Sequence, residues 1–232
     1  MTILVGNRRS EWSVSAATAV LCLLALLGLQ SCTPAVYQIN LKFIPPEQDI
    51  HQARPDARIT VAVFNDVRQM DDRLLLGQIK SSGNIVPILP MREHVPEAVT
   101  SGIRDFLSRA GYKLTDERPS WDLKEPTINP NWGRLVIGGN IDTLELTGED
   151  AIPVKTYQTK VRLTFILADT AARKILYRSS VETSSALKDI SLSGEQIEKE
   201  LNTTLTDALM KMLNDPATLR KLDEALSGKK LQ

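Results

Sequence analysis

The chain has 232 residues, with 28 Lys and Arg against 28 Asp and Glu, and is 42% hydrophobic and 24% charged. That balance excludes global disorder, which needs low hydrophobicity and high net charge, and it leaves no basic footprint for nucleic acid. One long apolar run excludes a polytopic membrane protein, and two Cys, two His and 5% aromatic residues leave little for a metal site, a disulfide framework or a base-stacking platform.

Arg8 and Arg9 open the chain as a short basic region, and Ala16 to Leu29 is a charge-free apolar block. As a helix that block reaches ~21 Å, short of a ~30 Å hydrocarbon core. Gln30, Ser31, Thr33 and Pro34 then break the run. A basic start, a short apolar middle and a small residue before a cut form the pattern of a secretory signal. Leu29-Gln30-Ser31-Cys32 resembles the lipobox of bacterial lipoproteins, with Gln30 less usual than Ala, Ser or Thr at its place. The resemblance implies cleavage between Ser31 and Cys32, a diacylglycerol on the Cys32 thiol and a fatty acyl group, palmitate in type, on the new amine. Cys suits this chemistry because a thiolate is a strong nucleophile near neutral pH. Two or three acyl chains at ~0.8 kcal/mol per buried CH₂ would hold the protein on a bilayer for good. Thr33, in place of the Asp that retains enterobacterial lipoproteins at the inner membrane, implies the outer membrane, facing the periplasm. Two other readings stay open: an unmodified Cys32 after an ordinary signal peptide, and an uncleaved anchor within the charge-free stretch Trp12 to Leu41. Arg8-Arg9 hints at twin-arginine export, but Ser10-Glu11-Trp12 fits that motif badly.

The organisation expected is a signal peptide over 1–31, a lipidated tether over 32–36, one globular domain over 37–227 and a disordered tail over 228–232. Tyr37, Ile39, Leu41 and Phe43 alternate with polar residues, so a half-buried strand is predicted there. Arg58 to Phe64 is apolar on both faces and reads as a central strand. Asn65 to Met91, with Gly77, Gly83, Pro87 and Pro90, reads as irregular. Val95 to Ala110 carries a helical apolar stripe, with Pro96 in its first turn and Gly111 at C′. A short strand at Tyr112 to Leu114 and a polar loop from Asp116 to Trp132 follow. Three long strands come next; a phase switch near Asp142 predicts a β-bulge, and Gly138-Gly139 predicts a bulge or a close backbone approach. Ser193 and Gln196 predict a capping box for a helix to Leu213, and Asp215-Pro216 restarts a third helix. The short loops between consecutive strands predict an α+β fold, a mostly antiparallel sheet with two or three helices packed on one face.

The run Ile59-Thr-Val-Ala-Val-Phe-Asn-Asp-Val-Arg68, then Gly77, Ile85 to Pro90, and Val95 through Gly111-Tyr112, resembles YajG-type bacterial lipoproteins. Those proteins open with an apolar strand ending in D-x-R, here Asp66 and Arg68, followed by a glycine-bearing loop and a helix closing on Gly and an aromatic. The resemblance runs from Tyr37 to Leu114 and implies location and fold more than activity. Asp66 and Arg68 are two apart at a strand end, so they share a side and can pair. They are either a polar interaction site or, as the bland reading has it, a loop ion pair worth ~0–1 kcal/mol if exposed.

No nucleophile, base and orienter assemble from the pattern, and there is no G-x-S-x-G, Walker loop or H-E-x-x-H. His51 lies in a proline-flanked loop and His94 just before the first helix of the domain. Asp71-Asp72 and Glu149-Asp150 read as solvated loop charge. Trp121 and Trp132 either anchor a binding surface or pin their loop onto the core. The expectation is a membrane-anchored envelope lipoprotein, not an enzyme, with no metal and no cofactor beyond the acyl groups on Cys32. Its partners are the bilayer and an envelope protein, with no nucleic acid. An auxiliary lipoprotein of a lipid or lipopolysaccharide transport machine is the alternative, marked by an exposed apolar groove between helices and sheet. A cell-wall enzyme is the third, marked by a cleft with a perturbed carboxylate or His.

Overall fold

The computed structural model describes residues 36–45, 57–81, 83–150, 154–189 and 193–227. The expected signal peptide, most of the tether with Ser31 and Cys32, and the tail lie outside them, as does His51. In chain order the elements are β1 (Tyr37–Ile39), β2 (Arg58–Val61), β3 (Asn65–Asp66), β4 (Gly77–Ser81), β5 (Asn84–Pro90), α1 (Val95–Arg109), β6 (Lys113–Leu114), a 3₁₀ turn (Glu125–Thr127), β7 (Leu135–Asp150), β8 (Lys155–Asp169), β9 (Lys174–Asp189), α2 (Gly194–Leu213) and α3 (Pro216–Leu226).

The strands form a nine-stranded mixed sheet, which corrects the expectation of a mostly antiparallel one. Antiparallel pairing joins β4 to β5, β7 to β8 and β8 to β9. Parallel pairing joins β1 to β5, β2 to β6, and each of β2, β3 and β4 to β7. The long meander is what alternation and short loops reveal. The parallel half depends on crossovers, since parallel neighbours cannot be joined by a tight turn. β2 is returned to its neighbours β6 and β7 through α1 and the loop after it. β7 is the spine: β8 runs along one edge, while β2, β3 and β4 succeed one another along the other.

The bulge falls where the phase switch put it, between Ile141 and Thr143. It keeps apolar residues on the core face on both sides of the break, Ile137 and Ile141 before it, Leu144 and Leu146 after it. The three helices cover that face. α1 buries Val95, Val99, Ile103, Phe106 and Leu107, and α2 buries Ile197, Leu201, Leu205, Ala208 and Met212. α1 stops because Gly111 takes φ +83°, with Gly111 N bonding Ser108 O and Tyr112 N bonding Leu107 O, a Schellman closure. The capping box forms as predicted: Gln196 N donates to Ser193 Oγ at 3.2 Å and Ser193 N to Gln196 Oε1 at 2.9 Å.

Two segments depart from the sequence reading. Between Asn65 and Met91, expected to be irregular, β3 and the β4–β5 hairpin form, with Pro87 and Pro90 inside β5. And of the strand expected over Tyr37 to Phe43, only Tyr37–Ile39 pairs with β5. Beyond it the backbone is held by one side of α2. Asn40 N donates to Glu198 Oε2 at 3.0 Å, Lys42 N to Asn202 Oδ1 at 2.9 Å and Ile44 N to Thr206 Oγ1 at 3.0 Å. Alternate residues of an extended chain and every fourth residue of a helix advance by similar steps, ~6.7 and ~6 Å, so the two rows match. Leu41 and Phe43 point the other way into the core, and Phe43 meets Phe106 edge-on at 6.4 Å.

Candidate functional site

β3 places Asp66 beside Ile141 of β7, and the chain then turns so that Arg68 folds back. Arg68 Nε and Nη2 bond the two Asp66 carboxylate oxygens, both at 2.9 Å. Nη1 donates to Leu75 O at 2.9 Å and Leu144 O at 3.0 Å, and Nη2 to Arg73 O at 2.6 Å. All five guanidinium N–H groups are thereby engaged. The Arg68 side chain is 1% exposed and Asp66 12%. The two predicted residues do meet, as a buried node tying the 67–76 loop to the sheet rather than as the exposed loop pair of the bland reading. A saturated guanidinium offers no donor to a ligand.

Trp121 is buried, its Nε1 donating to Lys124 O at 3.1 Å. It packs with Ala62, Ile128, Val136, Ile166 and Ala168 in a second cluster, separate from the core under the helices. Trp132 is partly buried against that cluster, so both tryptophans hold their loop on the sheet. Gly138 permits this, since a Cβ there would lie 2.7 Å from Trp121 Cε3; the close backbone approach foreseen for Gly138-Gly139 falls at Gly139, where a Cβ would lie 1.9 Å from Thr164 O. Asp122 accepts from Thr127 Oγ1, and that bond, more than the nearby Lys124, holds its carboxyl below the usual range. Arg104 donates to Thr115 O at 2.8 Å; burial and then the neighbouring Arg118 lower its affinity for a proton.

His94 is the exposed residue before α1, with no side-chain capping bond. Asp72 Oδ1 accepts from Leu74 N at 2.8 Å in an exposed turn. Glu149 sits at the end of β7, not in a loop. Among the described residues no group of three His, Cys, Asp or Glu side chains is placed to hold a metal ion.

Two features leave little trace in the sequence. One is the Glu198, Asn202 and Thr206 row, whose only signal is polar residues at four-residue spacing beside an apolar stripe. The other is a cavity of about 570 Å³ on the sheet face away from the helices. One rung of the ladder puts Lys80, Glu149, Thr156 and Lys188 side by side across four strands, and all four line it. Lys80, Glu149 and Lys188 supply its charges, while Tyr157 and Leu187 give it an apolar part. Leu41 and Phe43 join the core under the helices, and a smaller cavity of about 290 Å³ lies where they meet Ala98 and Gly102 of α1.

No protein-family model matches the chain, and no curated protein matches it. Among solved structures, a DUF330 protein from Xanthomonas campestris has a TM-score of 0.50 at 11% identity, over 82% of this chain and 98% of that one. A homolog of a neuraminyllactose-binding hemagglutinin from Helicobacter pylori gives 0.48 at 9% identity, over 82% and 100%. A lipoprotein from Neisseria meningitidis gives 0.35 at 13% identity, over 68% and 99%. The first likeness is one of fold. The others are weaker and carry nothing further. Among the described residues no helix is long and apolar enough to cross a membrane.

Proposed function

We propose that this chain is a lipid-anchored accessory protein of the bacterial envelope, of the YajG-like kind, acting by binding rather than catalysis. The observation that carries this is the distance in sequence between the anchor motif and the domain. Cys32 ends a Leu-Gln-Ser-Cys motif after a short apolar block, and four residues later the chain reaches Val36, the residue before β1. From there it enters β1 and then the row of bonds from Glu198, Asn202 and Thr206. A load on the anchor would fall on the core, as suits a body held close to a membrane. Thr33 favours the outer membrane, and the partners are the bilayer and an envelope protein. The Neisseria neighbour bears the name lipoprotein, which agrees with the reading without carrying it.

Metabolic labelling with an alkyne fatty acid tests the anchor: wild type takes the label, Cys32→Ala does not, and the variant accumulates at higher intact mass. Equal labelling of both removes Cys32 as the acceptor. Crosslinking in intact envelopes tests binding. A discrete heavier species lost with Cys32→Ala is expected, and a monomer pattern in both ends the binding reading.

A further inference from the structure

β1 runs parallel to β5 with Tyr37 opposite Ile88, so Val36 lies on the side of Tyr37 nearer the start of β5 at Asn84. Asn84 lies at one end of the sheet, on a rung shared with Ser81, Asp150, Lys155 and Asp189. The next rung holds Ile85, Lys80, Glu149, Thr156 and Lys188. α2 also begins here: a Cβ on Gly194 would lie 3.6 Å from the Tyr37 ring.

This end carries exposed apolar side chains. Ile85 is 62% exposed, Leu187 and Val36 43% and Val154 41%. They sit within two or three residues of the terminal rung or on the entering chain itself. Lys80 and Lys188 stand among them, with stems that can lie along apolar surface while their ammonium groups reach water or headgroups.

Chain length sets how far this end can stand from a lipid on Cys32. Four residues from Cys32 to Val36 span at most ~14 Å fully extended. Val36, one residue before the Tyr37–Ile88 pair, is level with Pro87, three residues short of Asn84, or ~10 Å along the strand. The acylated residue can therefore clear the end of the sheet by only a few ångströms. Resting on the lipid-anchor reading above, we propose that the sheet end bearing Val36, Ile85, Val154 and Leu187 lies against the interfacial region of the bilayer that holds Cys32. The long axis of β7 to β9 then stands away from the membrane. The β8–β9 turn points outward, roughly 45 Å off.

The test uses full-length protein, lipidated in cells and purified from membranes, in phosphatidylcholine vesicles containing a nitroxide headgroup lipid. Ile85→Cys, Leu187→Cys and, at the far end, Ala172→Cys each receive an environment-sensitive fluorophore. Since all three positions are exposed, the fold tolerates the label. The expected result is quenching at 85 and 187 stronger than at 172 by about twofold or more, as for groups at the headgroup boundary. Protein that floats with the vesicles but is quenched equally at all three, or most at 172, overturns the orientation and leaves the anchor standing. Protein that fails to float overturns the anchor, and this inference falls with it.

Discussion

The guanidinium of Arg68 lies 3.0 Å from the carbonyl oxygen of Leu144, 76 residues along the chain. On that edge of β7 the pairing with β3 ends at Ile141, and Leu146 N resumes it by bonding Leu76 O. The stretch between, which contains the bulge, has a side chain where a strand would be. Arg68 bonds the Leu144, Leu75 and Arg73 carbonyls at once, and at the buried Leu144 it satisfies a backbone group that would otherwise be left unpaired. The Asp66 carboxylate balances its charge.

Arg68→Met should therefore destabilise the fold by roughly 3–5 kcal/mol, since it strands both a carboxylate and several carbonyls. Asp66→Asn should cost a comparable amount, because it leaves the buried guanidinium charge unbalanced and turns an amide N–H toward Nη2. Urea titration of both variants reads this as lower midpoints. A shift below about 1 kcal/mol for Arg68→Met would show that the node is dispensable.

Gly77 is required by both conformation and space. Its φ is +144°, and a Cβ would fall 1.8 Å from Leu146 O. Gly83 has φ +83° with nothing within 4 Å of its Cβ position. Gly83→Ala should cost about 1 kcal/mol, the left-handed penalty alone. Gly77→Ala should cost roughly 3 kcal/mol or more, because backbone must move as well. Amide exchange should quicken in β4 and β5 for the second variant alone. Equal costs would mean that the β4–β7 seam yields easily.

Asn202 holds the entering segment from both sides of a peptide pair, accepting from Lys42 N at 2.9 Å and donating to Asn40 O at 3.0 Å. It is 1% exposed. Asn202→Ala leaves both part-buried backbone groups without their partner, at roughly 1–2 kcal/mol. Exchange at the Asn40 and Lys42 amides should accelerate well beyond that at β8. If the two accelerate equally, the segment opens only with the whole domain.

The parts legible in the sequence are those whose pattern is local. Helix stripes, the Ser193–Gln196 box, the Gly111 stop, the bulge at Asp142 and the meander of long strands each announce themselves within a few residues. The β4–β5 hairpin was hidden because Gly83, Pro87 and Pro90 punctuate it like a loop. Parallel pairing was hidden because strands of two to five residues carry no mark of their partner. The burial of Arg68 leaves no local mark, since solvent is the default for arginine and its three carbonyl partners come from the loop and from β7. Asn202 leaves no local mark for the same reason: the backbone it serves lies 160 residues away.

Tyr112 gives the fold a dependence on alkaline pH. The residue is buried at the end of α1, and its hydroxyl has no hydrogen-bond partner among the described residues. Burial first, and then the negative charge of Asp223, push its pKa up to about 12. In the unfolded chain a tyrosine titrates near 10. Between these values the unfolded chain releases the proton while the folded protein keeps it, so the unfolded state binds fewer protons and stability falls as pH rises. The contribution is whole below pH ~10 and is lost by pH ~12, roughly 1–2 kcal/mol after allowance for solvent screening. Tyr112→Phe removes the ionisable group and a buried oxygen without an acceptor, so it should be close to neutral in stability at pH 7. Denaturant midpoints of wild type and variant at pH 9 and pH 11.5 decide the matter. Wild type should lose more stability over that interval than the variant, and parallel losses would assign the alkaline sensitivity to another group.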